Sequence, residues 1–395
     1  MKKLNSDVVI IGAGLTGLLA AYALCDLSLD IIVVDKFDFV TKKSNSKDLR
    51  TTAIAEGSKE FLEKINLWQQ IASFSEPIKD IKVIDRVPKR LLTFKNPSKN
   101  KNLGYIVRNT EIKKALLKSL SKKKNIKLVV KKELNKITTK NHNITCNFND
   151  LKVQSKLLIA ADGKNSSVRN INKTPIYKKE YKQKALVINL HHEKNHKSTA
   201  FEIFLKSGPL AILPMKKIKK NYFSSSLIWS HETKYIDGLY NLDKKLLSSI
   251  LHERIYDYVG NIKEIVDVQK FNLSSHINTN FTEQRTMYLG DAAHSLHPIA
   301  GQGWNLGIRD IEKCLQIIKE NNELGLDLGN FFVCNKYQQK AYYDAYTLFQ
   351  ITDKLNSIFL NDSFFANKIR EKGFGLINKK GYIKNYITNF AMGFN

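Results

Sequence analysis

Three short stretches of this chain hold residues whose types and spacing suit one task, the binding of a phosphate-bearing nucleotide. Gly12, Gly14 and Gly17 follow the apolar run 8–11 and open the helical stretch 18–27. In such a turn the first glycine permits the bend and the second lets the backbone approach a pyrophosphate. The third allows helix and strand to pack closely, while the helix N-terminus attracts the anion. Asp35 closes a second apolar run, 31–34, about 20 residues further on, where an acid accepts hydrogen bonds from ribose hydroxyls. A glycine turn alone is a weak signal. With strand, helix and acid in register it predicts a dinucleotide site, without separating FAD from NAD.

The second stretch makes that separation. Leu289, Gly290 and Asp291 end a short apolar run late in the chain, followed by His294 and then by His297, Pro298, Ile299, Ala300, Gly301, Gln302, Gly303, Trp304 and Asn305. A strand ending in Gly-Asp can bind the hydroxyls of a flexible ribityl chain, and the glycines leave room for an isoalloxazine ring. A helix starting near Gly303–Asn305 would aim its positive end at the ring, where reduced flavin carries negative charge at N1 and O2. The third stretch, Ala160 to Arg169, again follows a strand and contains Asp162 and Gly163. Its small residues suit a place beside the first glycine turn, and Arg169 is expected to fix Asp162 or to reach a phosphate.

These motifs need elements to hold them. Residues 157–161 and 287–289 read as further buried strands, and Thr110 is a candidate cap for a helix with Ile112, Leu116 and Leu120 on one face. Residues 42–48 form a basic, polar stretch. From 181 to 272 the pattern changes to alternating apolar and polar residues, as in 186–190, 200–205 and 224–229, which suits an antiparallel sheet. The tail reads as helical and rich in Phe and Tyr. The expected organisation is α/β: a discontinuous nucleotide-binding domain (1–70, 101–180 and 272–330), an inserted β-rich substrate domain (71–100 and 181–271) and a helical C-terminal region (331–395).

Composition removes several function classes. The chain has 395 residues and a net charge of +27, but 64 basic residues include only nine arginines. Lys, Asn and Ile are all abundant, which matches A/T-rich coding, and the lysines are scattered, with short clusters at 122–124 and 216–220. Nucleic-acid binders concentrate charge with arginine forks and aromatic platforms, so we expect no nucleic-acid partner. Four cysteines far apart, with no CxxC pair, predict neither a disulfide framework nor a zinc site and fit a reducing cytoplasmic setting. His294 and His297 lack a third ligand nearby, so no metal is expected. His191, His192 and His196 read as solvated surface. No run reaches the roughly 20 apolar residues of a membrane span.

Taken together, the three stretches resemble the class A flavoprotein aromatic hydroxylases, whose fold is that of p-hydroxybenzoate hydroxylase. Residues 48–54 (Asp-Leu-Arg-Thr-Thr-Ala-Ile), 105–108 (Tyr-Ile-Val-Arg), 208–214 (Gly-Pro-Leu-Ala-Ile-Leu-Pro), the run 297–307 and the closing 375–393 look like the ubiquinone-biosynthesis hydroxylases in particular. The resemblance implies FAD contacts at Gly12, Gly14, Gly17, Asp35, Arg50, Arg108, Gly290, Asp291 and the loop Pro298, Gly301, Gln302, Gly303, Trp304 and Asn305. It implies that Asp162 and Gly163 serve both FAD and the nicotinamide pyrophosphate.

The activity it implies is ring hydroxylation of a prenylated phenol. NADPH or NADH reduces FAD, O2 forms a flavin C4a-hydroperoxide, and the hydroperoxide delivers oxygen to the ring. No separate acid or base is expected beyond the flavin-facing loop. No arginine suited to clamping a substrate carboxylate stands out in 181–272, which favours a neutral, lipophilic phenol over a benzoate; Trp229, Phe223, Phe201, Phe204 and Leu213 are candidates for its pocket. The partners implied are that phenol, O2 and a ubiquinone-biosynthesis complex. A contact with the inner face of the cytoplasmic membrane would run through Phe364, Phe365, Phe374, Tyr382, Tyr386 and Phe390, the alternative being that these pack a core. Rival readings are a hydroxylase of another aromatic, a prenyl reductase of the same fold and a non-catalytic flavin-binding assembly factor.

Overall fold

In the computed structural model, which describes residues 1–40, 48–86, 89–98, 101–217, 219, 221–361 and 363–394, the apolar runs become strands of a sheet covered on both faces. Strand β1 (Lys2–Ile11), helix α1 (Leu15–Leu24) and β2 (Ile31–Val34) form the opening unit. After them come β3 (Thr51–Ala55), α2 (Glu56–Lys64), the single turn α3 (Trp68–Ile71), β4 (Glu76–Ile78) and the hairpin β5 (Asp80–Arg86) and β6 (Lys89–Lys95). β7 (Gly104–Arg108), α4 (Asn109–Leu120) and β8 (Ile126–Val129) precede an antiparallel set, β9 (Lys136–Thr139), β10 (Ile144–Asn147) and β11 (Leu151–Ala160). α5 (Ser167–Asn172) leads into β12 (Ile176–His192), β13 (Thr199–Leu205), β14 (Gly208–Met215) and β15 (Phe223–Glu232). α6 (Thr233–Tyr240) and α7 (Lys244–Val259) return the chain to β16 (Ile262–Asn278), and the short β17 (Thr282–Glu283), β18 (Thr286–Tyr288) and β19 (His294–Ser295) follow. Four helices close the chain: α8 (Gly303–Glu323), α9 (Phe331–Leu360), α10 (Phe364–Lys379) and α11 (Gly381–Ala391).

β18, β11, β1, β2 and β8 lie parallel and in that order, so their apolar residues are buried on both faces as parallel strands require. The second sheet runs β19-β16-β12-β15-β14-β13-β5-β6 and is antiparallel except at β13/β5. β12 and β16 have 17 residues each and pair along most of their length, reaching from the first sheet's edge to the far side of the molecule. The boundaries expected at 180/181 and 271/272 fall inside these two strands. From the stretch 71–100, β4 joins β3 and β7 in a separate three-stranded sheet, and only β5 and β6 join the large one.

The large sheet's two faces are sorted by alternation. Phe201, Ile203, Leu210, Ile212, Leu227 and Trp229 pack under α6 and α7, against Ile236, Leu247, Leu251 and Ile255. Burying each such side chain contributes roughly 1.5–3 kcal/mol. The opposite, inner face sets Ala200, Leu213, Met215, Ile81 and Phe94 against Ala53 and Ile106 of the three-stranded sheet and against Met392 near the C-terminus. The expected substrate-pocket residues therefore separate. Trp229 and Phe201 lie under the outer helices, whereas Leu213 and Phe204 belong to the inner face, Phe204 stacking at 3.5 Å on Phe359 of α9. Phe223 sits at the far end, 5.8 Å from His196.

The histidines read as surface are not surface. His191, His192 and His196 are all buried. The strand carrying the first two is flanked by β15 and β16, and each finds a serine on β15: His191 Nδ1 lies 2.9 Å from Ser224 Oγ and His192 Nε2 2.9 Å from Ser225 Oγ. Burial holds all three below the ordinary histidine range, His192 at about 4. α4 begins one residue before Thr110, with Asn109 Oδ1 accepting from Thr52 Oγ1 at 2.7 Å. Of the basic stretch 42–48 only Asp48 is among the described residues, and residues 218 and 220 of the 216–220 cluster lie outside them. None of the described helices is long and apolar enough to cross a membrane.

Candidate active site

The register of the parallel sheet brings the three motif stretches together. Ile11 pairs with Val34 on one side and Ala160 on the other, and Ala160 pairs with Tyr288. The loops after these four strands therefore leave at one level, and they are the ones carrying Gly12–Gly17, Asp35, Asp162-Gly163 and Gly290-Asp291. Ligands of open parallel sheets bind at the carboxyl ends of strands.

The glycines divide into two kinds. A Cβ on Gly12, whose φ is +105°, would sit 2.3 Å from Ala161 O, and one on Gly17 would sit 1.9 Å from Gly12 O. Those two are demanded by the chain's own packing, and Ala161 is the small neighbour that the third stretch was expected to supply. Around Gly14 and Gly303 nothing lies within 4 Å, so no protein atom requires a glycine there. Both stand at helix starts, those of α1 and α8, and neither helix has a side-chain cap. Two uncapped N-termini, opening on space kept free of side chains, suit an anionic ligand.

Asp35 holds the turn itself, one carboxylate oxygen accepting from Ala13 N at 2.7 Å and the other from Phe37 N at 2.8 Å. Asp162 Oδ2 accepts from Ser167 N and Oγ and from Val168 N, while its buried Oδ1 has no partner. Arg169 does not bond Asp162 or reach toward open space. It is buried, donates to Ala292 O and Lys164 O, and lies 2.9 Å from His276 Nε2, clamping the second and third stretches together.

A residue outside all three stretches pins the second of them. Asp310, in the interior of α8, is fully buried. Its Oδ2 accepts from Gly290 N at 3.0 Å and lies 2.6 Å from His294 Nε2, so one carboxylate fixes both flanks of the Gly290–His294 turn. Asp291 lies between them. Its side chain is accessible, yet surrounding protein raises its carboxyl above the ordinary value, burial being the main cause, opposed by His294, Arg50 and Lys164.

The facing wall comes from β3 and the loop before α8. Asn305 is buried, its Nδ2 donating to Ala53 O at 2.7 Å and to Gly301 O at 3.2 Å while its Oδ1 accepts from Ala55 N at 2.9 Å. Its side chain thus locks the loop to β3. Gln302 Nε2 donates to Ala391 O, tying the same loop to α11. Pro298 and Gly301 remain accessible, and the indole N–H of Trp304 and both ring nitrogens of His297 are buried without partners. Arg50 forms two 2.8 Å bonds to Asp48 and lies 5.4 Å over Phe271. Arg108 is half-buried beside the start of α4, and burial holds its guanidinium below the ordinary value, opposed by Glu111. The orphaned Asp162 oxygen, the Trp304 N–H, the open Gly14 and Gly303 and the accessible Asp291 fit an extended ligand carrying both a phosphate end and a planar polar ring.

Residues 5–320 match the family described as FAD binding domain. Over 389 residues, 98% of this chain and 90% of the relative, the sequence is 30% identical to the ubiquinone hydroxylase UbiL of Rhodospirillum rubrum. It is 24% identical over 394 residues to the 3-demethoxyubiquinol 3-hydroxylase of Escherichia coli, with 98% of each chain covered. The protein belongs to the ubiquinone-biosynthesis family of FAD-dependent aromatic hydroxylases. Its fold is shared with p-nitrophenol 4-monooxygenase PnpA of Pseudomonas putida, with a TM-score of 0.81 at 14% identity, covering 100% of this chain and 99% of that one. The FAD-dependent monooxygenase PqsL of Pseudomonas aeruginosa gives 0.77 at 16%, covering 91% and 97%.

The hydroxylase thus uses FAD, with NAD(P)H the electron donor typical of its family. Among the described residues no group of three or more His, Cys, Asp or Glu is arranged to hold a metal. The four cysteines are free and buried. A 380 Å³ hollow lined by Glu76, Lys79, His196, Lys217 and Phe223 lies at the far end of the large sheet, and of the expected substrate-pocket residues it includes only Phe223. Sequence reasoning overlooked Asp310, although an acid on the buried side of a helix, between Leu306 and Ile311, was the signal that pointed to it.

Proposed function

We propose that this flavoprotein hydroxylates the ring of a neutral, prenylated phenol on the route to ubiquinone. The observation that carries the reading is the character of the sheet's inner face, which turns toward β3 and the Pro298–Gln302 loop. It is apolar around Leu213, Ala200, Ile81 and Phe94 and, among the described residues, offers no free guanidinium. Arg254 lies on the outer side, 5.0 Å from the Trp229 ring, and Arg90 and Arg370 both bond Asp85. A benzoate would need a cation there, whereas a greasy phenol is favoured by burial alone.

Gly12–Gly17, Asp35, Asp162 and Gly290–Asp291 would hold FAD, which, when reduced by NADPH or NADH, would supply the activation of O2. The chain's residues do the rest. The uncapped N-terminus of α8 at Gly303 would offer positive potential to the negative charge of a reduced flavin. Asn305 and Asp310 hold the loop and the Gly-Asp turn in place. Arg50 and Arg108 stand where phosphate or ring oxygens would meet a guanidinium. The apolar inner face excludes water and orients the ring carbon to be attacked.

Access to a lipid-soluble substrate is supported by the C-terminal helices. Phe364, Phe365, Tyr382 and Tyr386 are 74%, 74%, 68% and 73% exposed, and Lys368 Nζ lies 4.6 Å over the Phe364 ring. Such a basic, aromatic surface suits peripheral contact with an anionic membrane or a biosynthetic complex. Phe374 is buried, Phe390 packs on the core, and Met392 O accepts from Gly57 N, so truncating the tail would unmake the core as well. Paired Phe364→Ser and Phe365→Ser changes are the cleaner test: liposome co-sedimentation should fall while bound FAD stays. The hydroxylation itself is tested with FAD-loaded protein, NAD(P)H, a 2-prenylphenol and isotopically heavy O2. One heavy oxygen should enter the phenol. A reduced prenyl chain, or a flavin that NAD(P)H never reduces, would overturn the reading.

A further inference from the structure

Glu202 lies in β13 between Phe201 and Ile203, both of which face the outer helices. Alternation therefore turns Glu202 to the inner face, where it pairs with Ala211 on β14 and Val83 on β5. Along its own strand its neighbours on that face are Ala200 and Phe204, and the diagonal positions across the ladder are Leu213, Pro209, Ile81 and Asp85. This is the face that reaches Ala53, and a Cβ on Gly301 of the flavin-side loop would sit 3.2 Å from Ala53 Cβ.

The carboxylate has no hydrogen bond or ion pair among the described residues. Part of the side chain's surface nevertheless remains accessible, although the group sits deep in protein. A half-buried carboxylate on this face, unpaired among the described residues, is free to accept a hydrogen bond from a molecule brought against the face. Three other titratable groups on this face have partners among the described residues. Asp85 binds Arg90 of β6 and Arg370 of α10, His191 binds Ser224, and Asp267 on β16 accepts from its neighbour Val268 N.

Resting on the hydroxylase reading above, we infer that Glu202 is a catalytic residue, the proton acceptor for the phenol hydroxyl of the substrate. The phenolic O–H bond breaks and its proton passes to a Glu202 oxygen. The electron pair stays on the substrate oxygen, whence it enriches the ring carbons ortho and para to it, the positions an electrophilic oxygen attacks. One negative charge is present before and after the transfer. Burial lifts this carboxyl from 4.5 to about 7, toward the value of about 10 at which a phenol ordinarily ionises. An ordinary carboxylate would be a far weaker acceptor.

The test uses FAD-loaded protein and two probes, a 2-prenylphenol and its methyl ether, with binding followed through the flavin absorbance rather than turnover. In the native protein the phenol should bind at least about tenfold tighter than the ether. Its affinity should fall about tenfold between about pH 8 and pH 6, as the carboxylate fraction falls. Glu202→Gln should abolish that pH dependence and bring the two probes within about threefold of each other. Glu202→Asp, with FAD content and melting temperature as controls for folding, should keep the pH dependence. If Glu202→Gln retains both the preference and the pH dependence, the role of Glu202 is overturned and the hydroxylase reading stands. If neither probe binds the native protein, the phenol reading falls and the inference with it.

Discussion

Replacing Glu202 with glutamine should make the protein more stable at alkaline pH and leave it unchanged in acid. Burial raises this carboxyl from 4.5 to about 7, so in the folded chain the charged form is the disfavoured one. Between those two values the folded state holds a proton that the unfolded state has released. The group's contribution is thus fully present below about pH 4.5 and lost as pH rises through about 7. A difference of about 2.5 units corresponds to ~3 kcal/mol at about pH 8.5. With an unfolding entropy of about 2.1 cal/mol/K per residue over 395 residues, that is a rise in melting temperature of about 4 °C for Glu202→Gln. Thermal unfolding of FAD-saturated protein, followed by tryptophan fluorescence from about pH 5 to pH 8.5, reads it directly. The two proteins should differ little at the acid end, diverge as pH rises to about 7 and stay a constant interval apart above it. Parallel curves across the whole range would show that Glu202 is solvated like a surface carboxylate.

Gly12→Ala and Gly14→Ala should fail differently. The first should not fold, because its Cβ would meet Ala161 O at 2.3 Å, whereas the second should melt within about 1 kcal/mol of the native apoprotein and bind FAD at least about tenfold less tightly, by fluorescence titration. Equal loss of folding in both would show that Gly14 is structural. Asp310→Asn weakens the acceptor shared by Gly290 N and His294, so melting should fall by about 2–4 kcal/mol and the protein should purify with less FAD. Unchanged FAD content would remove Asp310 from the site's support. Arg254→Ala should leave kcat/KM for the phenol unaltered, since Arg254 lies on the outer side against Trp229, and should destabilise by no more than about 1–2 kcal/mol. A large loss of activity would mean that the substrate approaches from that face.

The nucleotide half of the molecule was legible because its signals are local. A glycine turn between an apolar run and a helix carries its geometry in six residues, and Asp35, Asp162 and Gly290 stand at strand ends that the same runs reveal. What pairs with what across the large sheet was not legible. His191 and His192 looked solvated because a polar run is read along the chain, while the Ser224 and Ser225 that satisfy them lie about 33 residues away on β15. Trp229 and Leu213 both looked like pocket residues, but a shift of one position in a strand reverses the face, and nothing local says which face holds the ligand. Arg169 was expected to work for the cofactor and instead ties Lys164 O to Ala292 O, a role set by a partner 123 residues distant. Glu202 was invisible for the same reason: it is one acid in an apolar strand, and its meaning depends on what that strand packs against.

The central claim is that this chain hydroxylates a prenylated phenol for ubiquinone. Mass-spectrometric profiling of quinones and prenylated phenols in cells lacking the protein tests it most directly. The account predicts that ubiquinone falls and that a precursor short of one ring oxygen accumulates, its structure naming the position attacked. An unchanged quinone pool in those cells would contradict the account, leaving an FAD-dependent hydroxylase whose aromatic substrate lies elsewhere.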